Sequence, residues 1–214
     1  VEGVYLDPYF GFHRGFDVYQ RIRASSNGGV TEQAVQWVDR HRGGRFFLFV
    51  HYFGVHPPYD PPADYVTLFD PEYVDRLQLS KQLSFDHQAL SPKDLEHIIA
   101  LYDGEIRSVD DQIGRLTDHL AGAGLLKNTL LLITADHGES FSRGAIGHGT
   151  RLPTHGLYEE LVRVPLILRH PHRGHETIDA PVQLIDVMPT ILPILQLHGP
   201  PSISGVDVLA GKRN

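Results

Sequence analysis

Several residues that could bind a metal ion or move protons follow apolar runs of the chain. They are His51, His56, Asp136, His137 and Glu139. A carboxylate beside an imidazole can ligate one divalent cation, because the carboxylate neutralises charge while the imidazole fixes orientation. The pair Asp136 and His137 therefore predicts a metal site. The simpler interpretation, that the two residues only cap the following turn, stays open at this point.

Histidine is also the unusual feature of the composition, with 14 among 214 residues. Lys plus Arg is 19 against 26 for Asp plus Glu, a net charge of −7 without a basic run, which argues against a nucleic-acid partner. The sequence has no cysteine, and this excludes a disulfide scaffold, a Cys-ligated metal and a cysteine nucleophile within it. We expect no membrane segment, because no apolar run reaches ~18 residues.

Apolar periodicity predicts the elements that position these residues. Steps of three and four predict a short helix over 31–42 and a long amphipathic helix from Ser91 to Gly122. Continuous apolar runs predict buried strands. These runs are 45–52, 129–135 and 162–168. A last strand end and a helix are expected within 182–197.

A helix between two buried strands forms a βαβ unit with a right-handed crossover. The sequence therefore predicts an α/β fold with a mostly parallel central sheet flanked by helices. Ligands bind at the carboxyl ends of parallel strands. His51 and His56 follow the first predicted strand, and Asp136, His137 and Glu139 follow the second. Two more histidines, His148 and His155, follow in a Gly-rich stretch and are candidates for the same site.

The charged residues of the long helix have a plain interpretation. They are Asp103, Glu105, Arg107 and Asp110. Charges on a helix normally form a solvated face with ion pairs, and we expect no catalytic role for these four.

In combination, these segments resemble the sulfatases of the alkaline phosphatase superfamily. The segments that carry the resemblance are 9–17, 49–62, 102–110, 134–139, 157–166, 184–191 and 204–206. The resemblance implies an alkaline phosphatase-like fold. It also implies that residues 1–214 are a partial sulfatase catalytic domain, missing its N-terminal part.

The resemblance further implies a role for each candidate residue. Asp136 and His137 would ligate the divalent cation, which is usually Ca²⁺ in the family. His56, from a His-x-Pro-Tyr loop, would contact the sulfate and assist the leaving group as substrate binder or general acid. His155 would bind a sulfate oxygen, with His148 as the alternative. The substrate would be a small-molecule or carbohydrate sulfate ester.

The chain also departs from the family pattern. The family's nucleophile is a Cys or Ser converted to formylglycine, in a motif upstream of the segments present here. Asp136 and His137 alone are also too few ligands for calcium, which takes about six to eight oxygens. We therefore expect sulfate-ester hydrolysis from the parent enzyme and none from these residues alone. Gly54 stands where many relatives carry Asp, and residues 143–149 replace the usual Gly-Glu-His-Gly.

Two alternatives stay open. One is a phosphonate or phosphate ester hydrolase or phosphotransferase of the same superfamily. A Thr nucleophile upstream would favour this alternative. The other is a non-catalytic sulfatase-like protein that binds anions. The resemblance to the family favours a periplasmic or secreted location. The residues themselves indicate neither a compartment nor an oligomeric state.

Overall fold

The computed structural model describes residues 1–3, 5–22, 27–72, 90–141, 147–148 and 157–210. The chain divides into two compact units, Val1–His172 and Arg173–Asn214. Nowhere in the described ranges is there a helix with the length and apolarity needed to cross a membrane.

The described part of the first unit contains four α-helices. They are α1 (Asn27–His41), α2 (Ala63–Phe69), α3 (Pro92–Gly122) and α4 (Glu159–Val162). The predicted long helix is confirmed as α3. Ser91 and Asp94 form a capping box at its start, in which each side chain accepts the other residue's backbone N–H, at 3.2 and 2.9 Å. The helix predicted from residue 31 is α1, which begins four residues earlier.

Two short strands form the sheet of the described residues. They are β1 (Leu131–Thr134), within the predicted region 129–135, and β2 (Leu166–Arg169), which extends one residue beyond the predicted region 162–168. Their pairing is antiparallel, with Leu131 opposite Arg169, whereas the sequence predicted a mostly parallel sheet. A parallel neighbour normally needs a crossover helix of several turns. In the described part of the connection, the only α-helix is the four-residue α4.

The segment 45–52 is extended and pairs with no strand among the described residues, so the buried strand expected there is not observed in this part of the chain. Alternate side chains pack against a cluster from α1 and α3: Phe46, Leu48 and Val50. Phe47 and Phe49, between them, are exposed. Alternation at period two gives an extended segment two faces, and an all-apolar run does not reveal whether both are covered.

The second unit is built around α5 (Val187–Ile194). A 3-10 turn, Leu184–Asp186, precedes it where a strand end was expected. Asp186 is buried, and its carboxylate accepts backbone N–H groups from Gln183 at 2.8 Å and Val206 at 2.9 Å. These bonds tie the segment after α5 back to the start of the helix.

Candidate active site

The turn after β1 carries the predicted metal ligands, and α4 holds this turn in place. The Gly138 N–H donates to the Leu161 carbonyl at 2.8 Å. A Cβ at position 138 would lie only 2.1 Å from the Glu160 carbonyl oxygen, so no other residue fits there without a backbone shift. This close approach fixes the turn relative to α4.

Asp136 and His137 present two different metal-donor atoms at this turn. Asp136 Oδ1 accepts the backbone N–H of His137 at 3.0 Å, and His137 Nδ1 donates to the Gly138 carbonyl at 2.8 Å. Asp136 Oδ2 and His137 Nε2 then lie 3.8 Å apart, on side chains that are 83% and 41% exposed. A carboxylate oxygen and a neutral imidazole nitrogen are donors that suit a divalent cation. The described residues contain no group of three or more side chains that could hold a metal ion.

Glu139 lies beneath this turn and connects it to two other segments. Its side chain is 4% exposed. One carboxylate oxygen accepts the Tyr59 hydroxyl at 2.7 Å, and the other accepts His148 Nδ1 at 2.8 Å. The Tyr59 ring is fully buried against Tyr102 and Phe141. Glu139 therefore connects the loop that contains His56 to the segment that contains His148.

Three histidine rings lie close together, with His148 next to both of the others. The His148 ring lies 4.0 Å from the His137 ring and 4.9 Å from the His56 ring, measured between centroids. His56 Nδ1 donates to the Pro57 carbonyl at 2.7 Å, just as Nδ1 of the other two rings is held by Gly138 and Glu139. An imidazole anchored at Nδ1 keeps a fixed orientation, and Nε2 becomes the nitrogen available to a ligand.

Two of these rings, His56 and His148, and the neighbouring His51 sit in different electrostatic environments. Burial lowers the pKa of His56, against a smaller opposing effect of the Pro57 carbonyl, which favours a neutral ring. The hydrogen bond to Glu139 raises the pKa of His148, which favours the imidazolium form. His51 lies near Asp136, and burial lowers its pKa while that carboxylate opposes the effect.

Four of the five predicted site residues are therefore brought together: Asp136, His137, His56 and His148. His155 lies outside the described residues. Sequence reasoning missed Tyr59, and it named Glu139 as a candidate without finding that Glu139 joins Tyr59 to His148. Tyr59 and Glu139 both belong to the segments that carry the family resemblance, and that was the available indication of their importance.

Curated proteins similar to this chain include a sulfatase and another member of the alkaline phosphatase superfamily. The chain is 28% identical over 212 residues to the multifunctional alkaline phosphatase superfamily protein PehA of Trinickia caryophylli, covering 84% of this chain and 40% of PehA. It is 26% identical over 197 residues to an arylsulfatase of Clostridium perfringens, again covering 84% of this chain and 40% of the relative. The chain thus spans about 40% of the length of these two relatives.

A solved structure shows the same fold. The phosphonate monoester hydrolase of Silicibacter pomeroyi superposes with a TM-score of 0.71 at 29% identity, over 85% of this chain and 40% of that chain. The fold is therefore that of the sulfatase and alkaline phosphatase-like proteins. The Sulfatase family profile matches residues 8–197, and the chain belongs to the sulfatase family, which confirms the resemblance found in the sequence.

Proposed function

We propose that residues 1–214 are part of the catalytic domain of a sulfatase, in which a mostly parallel central sheet is completed and sulfate esters are hydrolysed with a divalent cation. The observation that carries the proposal is the close approach of three anchored histidines, one of which, His137, lies beside the exposed Asp136, in a chain of the sulfatase family. The substrate would be a sulfated small molecule or carbohydrate.

Asp136 and His137 would hold the cation, which we propose to be Ca²⁺. Their two donor atoms fit such an ion chemically and supply only part of the six to eight ligands that calcium takes. A divalent cation bound there would supply positive charge that stabilises the developing charge of the reacting oxyanion. The nucleophile would be a formylglycine made from a Cys or Ser in the whole protein.

His148 and His56 would contact the sulfate group. The hydrogen bond from His148 to the buried Glu139 favours the imidazolium form of the ring. A positively charged ring held in one orientation attracts a sulfate oxygen. The bond from His56 to the Pro57 carbonyl places one proton on Nδ1 and leaves Nε2 for the substrate. Only the imidazolium form of His56, with a second proton on Nε2, would donate to a sulfate oxygen or protonate the leaving oxygen. His155 is proposed as a further sulfate ligand on the family resemblance alone.

A phosphonate or phosphate ester hydrolase is the second candidate function. The observation in its favour is the similarity to the phosphonate monoester hydrolase fold at 29% identity. The two functions would share a tetrahedral oxyanion at a metal. A Cys or Ser in a formylglycine motif of the whole protein would support the sulfatase, and a Thr nucleophile would support phosphoryl transfer.

The experiment is a comparison of kcat/KM for the whole protein on 4-nitrophenyl sulfate, 4-nitrophenyl phosphate and a phenylphosphonate monoester. The proposal predicts the highest value for the sulfate ester. A higher value for either phosphorus ester would replace it with the second candidate. No turnover of any ester would instead favour a non-catalytic anion-binding protein.

A further inference from the structure

Glu105 of α3 is a buried carboxylate outside the site just described. It is 5% exposed, so the sequence-based interpretation as part of a solvated helix face is wrong for this residue. Its Oε1 accepts the backbone N–H of Asp60 at 3.2 Å, and its Oε2 accepts Asn27 Nδ2 at 3.4 Å. Burial of a carboxylate is costly, and these two N–H groups compensate only in part.

Asp60 is at the end of the loop 54–60, which contains His56. Asn27, at the start of α1, contacts the other end of this loop. It is buried, and its Nδ2 also lies 3.4 Å from Ser108 Oγ of α3. A Cβ at Gly54 would lie 2.4 Å from Asn27 Oδ1, so the loop backbone rests directly on the amide group at that point. Asn27 and Glu105 are hydrogen-bonded to each other, and they contact the two ends of the loop 54–60.

His56 lies between these two ends. Its backbone N–H donates to the Phe53 carbonyl at 2.9 Å, and its ring stacks on the Phe53 ring at 4.3 Å. Its Nδ1 bond to Pro57 is also made within the loop. The position of the imidazole is therefore set by the position of the loop, and Glu105 fixes one end of the loop at Asp60.

We propose that Glu105 is a positioning residue for His56, acting through Asp60 and Asn27 on the loop 54–60. It touches none of the site histidines directly among the described contacts. The inference rests on the proposed function only for what His56 does to the substrate. The placement of the loop itself can be measured without any turnover.

The charge of Glu105 supports this role. Burial raises its pKa to about 7, and the hydrogen bonds from Asp60 and Asn27 oppose that effect in part. The charged groups that face it are Asp60 in the loop and Glu2 in the N-terminal segment, both of which raise the pKa further. A protonated carboxyl group has one acceptor fewer, so one of its two N–H bonds weakens as the pH falls through this range.

The test is amide hydrogen exchange and imidazole NMR on the whole protein, for the wild type, Glu105→Ala and Glu105→Gln. Glu96→Gln is the matched control, because Glu96 is an exposed residue of the same helix. We expect Asp60 to exchange about ten-fold faster in Glu105→Ala, as one lost hydrogen bond predicts. We expect a smaller increase in Glu105→Gln, which keeps one acceptor oxygen.

The His56 Cε1–Hε1 signal should shift in both Glu105 variants and stay in place in Glu96→Gln. Unchanged Asp60 exchange and an unchanged His56 signal in a folded Glu105 variant would overturn the proposal. If Glu105→Ala does not fold, Glu105→Gln decides. Equal loss of protection along all of α1 and α3 in Glu105→Gln would show a general stabilising role and would also overturn it. Failure of the sulfatase proposal would leave these readouts unaffected.

Discussion

The Tyr59 hydroxyl donates to the Glu139 carboxylate at 2.7 Å, across 80 residues of sequence. This bond joins the loop after the extended segment to the turn after β1. Because Glu139 also accepts His148 Nδ1, a single buried carboxylate orients two segments that carry site histidines. The relationship explains how residues far apart in the chain come to share one site.

Removing the hydroxyl tests this connection. Tyr59→Phe should lower the free energy of unfolding by about 1–2 kcal/mol, because a buried carboxylate loses a donor. Tyr65→Phe is the matched control, since Tyr65 donates to the half-exposed Asp111 at 3.0 Å and water can replace it there. Urea denaturation of the three proteins measures both changes. An equal loss in the two variants would contradict the special role of the Tyr59 bond.

The turn at Gly138 makes a steric prediction. Gly138→Ala should destabilise the chain by about 3 kcal/mol, because its Cβ would meet the Glu160 carbonyl oxygen at 2.1 Å. Gly114→Ala, in the open interior of α3, should stabilise it by about 0.5–1 kcal/mol. Thermal unfolding of both variants gives the comparison. A Gly138→Ala protein as stable as the wild type would show that α4 does not hold the turn.

Glu105 gives the stability a pH dependence of predictable sign. Because burial raises its pKa to about 7, the native state binds this proton more tightly than the unfolded state, whose Glu titrates near its ordinary value of 4.5. The stability due to this group is complete below about pH 4.5 and is lost as the pH rises through about 7. Glu105→Gln should remove that loss, worth about 3 kcal/mol.

The measurement is the free energy of unfolding of both proteins between pH 4 and pH 8. The difference should move in favour of Glu105→Gln as the pH rises, while Glu96→Gln keeps a constant difference from the wild type. Parallel pH profiles for wild type and Glu105→Gln would contradict a raised pKa.

The second unit has its own test at Asp186. Asp186→Asn should cost about 1–3 kcal/mol, because an amide keeps only one of the two oxygens that accept from Gln183 and Val206. Asp207→Asn should change stability by less than about 0.5 kcal/mol, because Asp207 accepts a single bond, from Leu209, that an amide oxygen can keep. Exchange rates of the Val206 amide report the result. Unchanged exchange of the Val206 amide in Asp186→Asn would show that Asp186 does not hold this segment against the start of α5.

Local features of the fold were predictable from the sequence, and the pairing of strands was not. Helix α3 followed from its periodicity and from the cap at Ser91, because both signals are local. An apolar run such as 45–52 or 162–168 carries no information on which strand lies beside it or in which direction. The antiparallel pairing of β1 with β2 therefore had to come from the structure.

The candidate site was also predictable only in part. The residues after β1 were predictable because their types suit metal binding and their motifs resemble a family. The bonds of Glu139 to Tyr59 and His148 join residues far apart in sequence or in segments of uncertain register, which no local pattern encodes. Glu105 was misassigned by its charge alone, although its spacing of four from the buried Leu101 placed it on the inner stripe of α3.

The most direct test of the central claim is the calcium requirement of turnover in the whole protein, measured on 4-nitrophenyl sulfate for wild type, Asp136→Ala and His56→Ala. Glu159→Gln serves as the control, because Glu159 is an exposed carboxylate nearby in sequence. We predict calcium-dependent sulfate release by the wild type and the control, none by Asp136→Ala, and a reduced rate with nearly intact calcium binding for His56→Ala. Wild-type rates in Asp136→Ala would contradict the assignment of the site.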